Sequence, residues 1–218
     1  MIASSSLQSG EINLWSADPS NWQGDDKAIE GTLKRQKTGI KTVDPIGTIK
    51  GSSGISAMKW TTNDSIVTGS NDHQIKVYDV TKLAVQESVF TNHKTITCLD
   101  STSSFVFGGF EDGVVRVYDL RKSSSSARSS AVQTYVAHDK WVSQIRTNPM
   151  AENVFLTSGY DGKVKMWDLR NPTEPLSVLK RTTATSDDKV FALAWNGATQ
   201  ILSGGADSHV SVHEMGGH

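Results

Sequence analysis

Short stretches of alternating apolar and polar residues recur along this chain, and four of them follow a cluster of small, turn-forming residues. They read GSNDHQIKVYD at 69–79, GFEDGVVRVYD at 109–119, SGYDGKVKMWD at 158–168 and GGADSHVSVHE at 204–214. Gly, Asn and Asp supply the positive φ angles and local hydrogen bonds of a tight reversal. Alternation with a period of two predicts a strand with one buried face. Each copy therefore predicts a turn followed by a β-strand.

The copies share an Asp in the turn and a ring six residues later. The Asp residues are Asp72, Asp112, Asp161 and Asp207, and the rings are Tyr78, Tyr118, Trp167 and His213. A weaker copy, SLQSGEINLWS, keeps Trp15 but has Ser9 in place of the Asp, and the five rings are separated by 63, 40, 49 and 46 residues. A repeat of about 40–45 residues containing four short strands is typical of a β-propeller blade.

The strand pattern predicts an all-β fold, because no stretch sustains helical periodicity. A partial blade comes first, with IASSS, EINLWS and PIGTIK. Three full sets follow (ISAMKW, SIVTG, QIKVYD, VQESVF; TITCLD, FVFGGF, VVRVYD, VQTYVA; WVSQIR, VFLTSG, KVKMWD, LSVLKR), and VFALAW, QILSGG and HVSVHE form the last set. Residues 1–218 are thus predicted to be one partial propeller of about four and a half blades.

Composition and charge favour an interaction domain over a nucleic-acid binder. Hydrophobic residues make up 36% of the chain, and no run approaches the roughly 18 apolar residues of a membrane span. The 22 basic and 23 acidic residues nearly cancel, so no overall basicity attracts a phosphate backbone. Cys98 is the one cysteine, which excludes an internal disulfide.

Two segments do not follow the repeat. Residues 16–45 begin acidic and turn basic, with a candidate basic patch at Lys34, Arg35, Lys37 and Lys41. This insert is predicted to be a solvated, mobile loop; the alternative is a nuclear-targeting or RNA-contacting patch. The second segment, RKSSSSARSS at 121–130, has the composition of a flexible linker.

The repeated phrase, with the ending MWDLR, resembles the WD-repeat family. The resemblance implies a buried hydrogen-bond network in each blade, from His to Asp and through Ser or Thr to Trp. One set is complete: His138, Thr157, Asp161 and Trp167. The others are partial: His93 with Asp112 (Gly108 and Tyr118 replace the hydroxyl and the indole), Thr68 with Asp72, and Ser203 with Asp207 (His213 replaces Trp). A hydrolase triad is the alternative, but a catalytic set would occur once rather than in every blade.

Longer strings resemble the WD-repeat subunits of the PeBoW ribosome-biogenesis complex. They are LWSADP, the insert containing KRQKT, AHDKWVSQIR, SGYDGKVKMWDLR and QILSGGADSHV. The resemblance implies a non-enzymatic scaffold without cofactors, in the nucleus, nucleolus and nucleoplasm, that acts in maturation of the large (60S) ribosomal subunit and pre-rRNA processing. Its implied partners are the block-of-proliferation propeller protein, pescadillo and pre-60S particles. Because the family's rings usually have seven blades, we also expect the chain to be an N-terminally incomplete version of a larger protein.

Partner-binding candidates follow from the same resemblance, which places residues before the turn Asp and before the first strand on one face. They are Asn71, Glu111, Tyr160 and Trp141. An exposed Trp–Tyr pair suits a docking hot spot, and the alternative is a local packing pair.

Three other functions stay open: an adaptor in another pathway such as ubiquitin ligation, direct pre-rRNA binding through the basic insert, and an enzyme or metal site. His209, His213 and His218 fit a metal poorly, because a site needs three or four converging ligands. We expect no membrane association and no small-molecule substrate.

Overall fold

A computed structural model describes residues 1–17, 45–51, 53–91, 94–119, 131–179, 181, 188–197 and 199–215. Within these ranges the chain forms strands and turns and no helix. The all-β class is therefore confirmed. The insert at 16–45, with Lys34, Arg35, Lys37 and Lys41, lies almost wholly outside the described residues, as do His93, His218 and the linker at 121–130.

In the described part of the chain, eighteen strands form five antiparallel sheets in chain order, which we call blades 1 to 5. Blade 1 contains β1 (Ile2–Ser5), β2 (Ile12–Trp15) and β3 (Gly47–Ile49), and blade 2 contains β4 (Ile55–Thr62), β5 (Ser65–Ser70), β6 (Gln74–Asp79) and β7 (Ala84–Phe90). Blade 3 contains β8 (Ile96–Ser101), β9 (Phe105–Phe110), β10 (Val114–Asp119) and β11 (Gln133–Val136). Blade 4 contains β12 (Val142–Thr147), β13 (Val154–Gly159), β14 (Val164–Asp168) and β15 (Ser177–Leu179), and blade 5 contains β16 (Val190–Asn196), β17 (Gln200–Gly205) and β18 (Val210–Glu214). The predicted strand order is confirmed.

The turn between the second and third strands of a blade explains the repeated Asp and its neighbours. Each turn Asp accepts a hydrogen bond from the backbone N–H two residues later, for example Lys163 to Asp161 at 3.2 Å and Gln74 to Asp72 at 3.2 Å. The residue between them has a positive φ in all four turns: 60° at His73, 78° at Gly113, 77° at Gly162 and 60° at Ser208. Glycine suits this position because it lacks the Cβ that makes positive φ costly.

The hydrophobic core lies between blades. Among the described residues, four clusters of buried apolar side chains each join two blades that follow one another in sequence. Between blades 3 and 4, Phe155 contacts the Phe107 ring at 5.0 Å and the Tyr135 ring at 5.1 Å. Tyr135 in turn meets Trp167 edge-on at 5.4 Å. Face-to-face packing of consecutive sheets is the arrangement of a propeller.

First strands β4, β8, β12 and β16 lie beside one another, in chain order. A buried carboxylate links three of them: Asp100 on β8 contacts Lys59 Nζ on β4 at 2.9 Å and accepts the Thr147 N–H from β12 at 2.7 Å. Each of these strands also carries a bulge near its start, at Ser56, Thr97, Ser143 and Phe191. The bulges re-aim one side chain per blade, and they shape the candidate site described next.

The described residues contain no helix long and apolar enough to cross a membrane.

Candidate functional site

Blade 4 holds a continuous chain of buried polar side chains. His138 Nδ1 lies 2.9 Å from Asp161 Oδ1, and His138 Nε2 lies 2.9 Å from Thr157 Oγ1. Trp167 Nε1 donates to the same Thr157 oxygen at 3.0 Å. The structure thus brings together the four side chains that the resemblance implied.

The donor and acceptor roles in this chain follow from its two ends. An indole N–H can only donate and a carboxylate can only accept. Trp167 therefore donates to Thr157, the Thr157 hydroxyl donates to His138 Nε2, and His138 Nδ1–H donates to Asp161. With a neutral imidazole, each of the four side chains in this network therefore has its hydrogen-bond partner. The network joins two blades, because the His138 N–H is anchored on Gly113 O of blade 3 at 2.9 Å.

Electrostatics keep Asp161 ionised. Burial alone would raise the pKa of its carboxyl, but the hydrogen bond from His138 and the backbone N–H groups of Lys163 and Asp139 outweigh burial and lower the pKa to about 2. Thr157 is fully buried and bonded on both sides, so its oxygen is not positioned to attack a substrate. The geometry of this set supports a structural role.

Blade 2 departs from the predicted network at Thr68. Its hydroxyl is buried and has no hydrogen-bond partner within the described part of the chain, because GSSG at 51–54 provides no His before the blade and Tyr78 takes the place of the Trp. Asp72 is held instead by Ser70 Oγ and by Lys76 Nζ at 3.0 Å. Burial opposes the charge on Asp72, yet these bonds lower the pKa of its carboxyl.

Blade 3 uses a similar replacement. Arg116, four residues after the turn, contacts Asp112 through Nη2 at 3.0 Å and Nη1 at 3.4 Å, and its guanidinium lies 4.6 Å from the centre of the Phe110 ring. Gly108 offers no hydroxyl, and the buried Tyr118 hydroxyl has no hydrogen-bond partner among the described residues. Burial raises the pKa of Tyr118 to about 12.

In blade 5 an arginine takes the place of the histidine. Arg181 is fully buried and its Nη2 contacts Asp207 Oδ1 at 2.7 Å and the His209 carbonyl at 2.9 Å. His213, at the Trp position, lies 3.3 Å from Ser203 Oγ. Burial and the charge of Arg181 both lower the pKa of His213. Sequence reasoning missed Arg181 because the resemblance assigns this role to a His. The signal that could have found Arg181 is its position two residues after β15, like that of His138 after β11.

The bulges of the first strands line one end of the ring axis. The Ser56 hydroxyl donates to Ile96 O of the next blade at 2.7 Å, and the Thr97 hydroxyl reaches Val142 O in the same way. Ser143 Oγ lies 2.7 Å from Ser158 Oγ. Blade 5 has Phe191 at this position, and the Phe191 ring is 48% exposed. Blade 5 therefore carries an aromatic side chain at the position where blades 2, 3 and 4 carry a hydroxyl.

Three aromatic rings meet at this end of the axis. Trp141 stacks on Tyr160 with ring centres 5.8 Å apart and an angle of 21°, and Phe191 meets Tyr160 edge-on at 5.8 Å. Lys189 Nζ lies 4.9 Å from the centre of the Tyr160 ring. Trp141 remains 49% exposed.

The aromatic rings line a depression of about 430 Å³ together with residues from all five blades; we call it the channel mouth. Its lining includes Leu7, Asn71, Thr95, Trp141, Tyr160 and Phe191. Among the predicted docking residues, Asn71, Trp141 and Tyr160 come together here, and Glu111 lies beside it through a bond from its N–H to Thr95 O at 3.1 Å. Sequence reasoning missed Leu7, Phe191 and Lys189; the alignment of Phe191 with Ser56, Thr97 and Ser143 is the signal that could have found it.

Within the described ranges, no group of three or more His, Cys, Asp or Glu side chains could hold a metal ion. Cys98 is buried, and burial raises the pKa of its thiol to about 12.

Comparison with known proteins gives two results. Residues 43–79, 84–119 and 129–168, just over half of the chain, match the family model described as WD domain, G-beta repeat. A ribosome biogenesis protein WDR12 homolog of Drosophila mojavensis is 32% identical over 204 residues, 92% of this chain and 45% of the relative. Proteins with the same name from Aedes aegypti (31% over 205 residues, 92% of this chain and 45% of the relative) and Ixodes scapularis (29% over 212 residues, 93% and 48%) are similar. The chain spans about half the length of these curated relatives.

Proposed function

Because the chain belongs to the WD-repeat family, we propose that it is a non-enzymatic scaffold that binds other proteins during ribosome biogenesis. The observation that carries this proposal is the similarity of nearly the whole chain to ribosome biogenesis proteins of several animals. The exposed aromatic lining of the channel mouth agrees with it, since tryptophan and tyrosine dominate binding hot spots.

More specifically, the chain acts in maturation of the large ribosomal subunit, in the nucleolus and nucleoplasm. Its partners are the block-of-proliferation propeller protein, pescadillo and the pre-60S particle. Trp141 and Tyr160 form the docking pair on this surface, because Trp141 is half-exposed and their stacking holds both rings ready without further ordering.

The test is affinity purification of the tagged full chain from nuclear extract, followed by mass spectrometry. We expect block-of-proliferation protein and pescadillo to co-purify, with the complexes resistant to ribonuclease and to moderate salt. The Trp141→Ala, Tyr160→Ala double variant should lose most of this capture while melting near the wild-type temperature.

Met150→Ala is the matched control, because Met150 is 78% exposed and does not line the channel mouth; its capture should be unchanged. Recovery of ubiquitin-ligase subunits instead would contradict the proposal. Capture that disappears steeply with salt or ribonuclease would favour direct pre-rRNA binding.

A further inference from the structure

We propose that the channel mouth binds a short acidic segment of a partner protein, with one apolar side chain inserted into the depression and flanking carboxylates on its rim. This inference rests on the proposed scaffold function and names the chemistry of the partner that the site selects. It follows from three features of the mouth: its floor, its walls and its rim.

At the floor, which we define as the bulge residues Ser56, Thr97 and Ser143, the hydroxyl groups are already engaged in hydrogen bonds within the protein. The hydroxyl hydrogens of Ser56 and Thr97 are used in bonds to backbone carbonyls of the next blade, and Ser143 is paired with Ser158. A polar group pushed into the floor would lose its water without gaining a full set of hydrogen bonds, which is costly. An apolar group meets no such cost.

The walls favour that apolar group. Leu7, Trp141 and Phe191 line the depression, and their exposed fractions are 61%, 49% and 48%. Burying exposed apolar surface contributes roughly 25 cal/mol per Å². The depression of about 430 Å³ is small enough to be filled by one or two side chains rather than by a folded domain.

The rim is positively charged. Lys94, Lys140 and Lys189 are exposed and lie one or two residues before the first strands of blades 3, 4 and 5. Lys94 and Lys140 adjoin the lining residues Thr95 and Trp141 in sequence, and Lys189 lies two residues before Phe191. None of the three forms an ion pair with a carboxylate of the described residues, whereas the nearby Lys163 is neutralised by Asp139 at 2.9 Å. Glu111 lies beside the mouth and Asp188 directly precedes Lys189, so the three lysines exceed these two carboxylates by one positive charge. Lys189 already lies over the Tyr160 ring, so a carboxylate bound to it would sit directly above the aromatic wall.

The same features favour a peptide over a nucleic acid. Three lysines on three blades could neutralise at most about three phosphates, whereas tight phosphate-backbone binding uses about 6–10 such contacts. The formal charge of the whole chain is −1, so no wider field attracts a polyanion. A peptide needs only a few carboxylates and one apolar anchor.

Fluorescence anisotropy with the full chain tests this inference. The probe is a labelled Gly-Glu-Asp-Leu-Asp-Glu-Gly peptide, compared with the same peptide carrying Ser for Leu, with one carrying Lys for each acid, and with a labelled uridine octamer. We expect the acidic leucine peptide to bind best, the serine peptide at least about fivefold more weakly, and the lysine peptide not at all. Lys140→Glu with Lys189→Glu should weaken binding by about tenfold, as two reversed rim charges would.

Lys82→Glu is the matched control, because Lys82 is exposed and pairs with Asp79 beyond the opposite end of β6; its binding should equal wild type. Circular dichroism melts verify that each variant folds. Binding of the uridine octamer in preference to the peptide, or equal binding of the leucine and serine peptides, would overturn the inference. If no probe binds while the chain still co-purifies with ribosome assembly factors, this inference fails and the proposed function stands. If the acidic peptide binds but no ribosome assembly factor co-purifies, the proposed function fails and this inference stands.

Discussion

At the scale of single residues, the same position does different work in different blades. Thr157 and Thr68 both lie four residues before the turn Asp and are both completely buried. Thr157 Oγ1 is bonded to His138 and Trp167, whereas Thr68 Oγ1 has no partner among the described residues. An unpaired buried hydroxyl costs free energy, and a paired one stabilises the fold.

Replacing each threonine by the isosteric valine should therefore have opposite effects. Thr157→Val leaves the Trp167 N–H and one nitrogen of His138 buried without a hydrogen-bond partner. We therefore expect the free energy of unfolding to fall by about 2–4 kcal/mol. Thr68→Val removes an unpaired group and should leave that free energy unchanged or slightly higher. Urea denaturation measures both, with each variant controlling for the other. A similar loss in the two variants would contradict this account.

His213 should make stability depend on pH near neutrality. Burial and the charge of Arg181 lower its pKa below the ordinary 6.5, so the folded state favours the neutral ring and the unfolded chain binds more protons. Stability is then complete above about pH 7 and falls as the pH drops through 6.5 toward the folded pKa. His213→Gln should remove this component. The measurement is the melting temperature between pH 5.5 and 8, and identical profiles for wild type and variant would rule the effect out.

At the scale of the structural element, the side chain that meets the turn Asp determines whether this Asp ties neighbouring blades together. His138 and Arg181 come from the segment after the outer strand of the preceding blade, so their bonds to Asp161 and Asp207 cross a blade interface. Lys76 and Arg116 come from the same hairpin as their Asp partners. In blades 4 and 5 the turn Asp is thus tied to the preceding blade, whereas the charged partners described for the turn Asp of blades 2 and 3 belong to the same blade.

Arg181→Ala should loosen blade 5 specifically. It leaves the Asp207 carboxylate, whose side chain is 5% exposed, without its guanidinium, and removing one partner of such a pair is destabilising. We expect faster amide hydrogen exchange in β16, β17 and β18, with β8 to β10 protected as in wild type. Lys82→Ala is the control, because the Lys82 side chain is 75% exposed and its ion pair with Asp79 lies at the surface, where such pairs contribute little to stability. Uniformly faster exchange in all blades would contradict the local effect.

At the scale of the whole molecule, burial depends on whether a blade has a neighbour. Three residues after the turn Asp, Ile75, Val115 and Val164 are completely or almost completely buried against the following blade. Val210 occupies the same position in blade 5 and is 73% exposed, and Val212 is 57% exposed. The same sequence pattern therefore gives core in three blades and surface in the last.

Truncation at these equivalent positions should show the difference. Ile75→Ala removes buried methyl and methylene groups and should lower the free energy of unfolding by about 2–5 kcal/mol. Val210→Ala, with the same register, should change it by less than about 0.5 kcal/mol. Chemical denaturation of the two variants of the full chain provides the measurement. A large loss from Val210→Ala would mean that this face is covered in solution.

The sequence by itself determined the strands, their turns and the family. Alternation of period two and the Gly/Asp clusters are local signals, so they located the turns at Asp72, Asp112, Asp161 and Asp207 and the strands between them. The complete set around Asp161 was also readable, because the resemblance carries fixed spacings. Where a blade lacks one of the network residues that the family carries, the spacings do not predict which side chain replaces it.

Only the tertiary structure decided what meets each buried carboxylate and which surfaces face solvent. Arg181 reaches Asp207 across 26 positions of sequence, and Phe191 reaches Tyr160 from the next blade; both depend on how two sheets stack. The exposure of Val210 likewise depends on a neighbouring sheet rather than on its own strand. Hydrogen bonds along a hairpin are set by local spacing in the sequence. Packing between blades is set by the positions of sheets that are distant in sequence, and the candidate site is formed by side chains that meet through this packing.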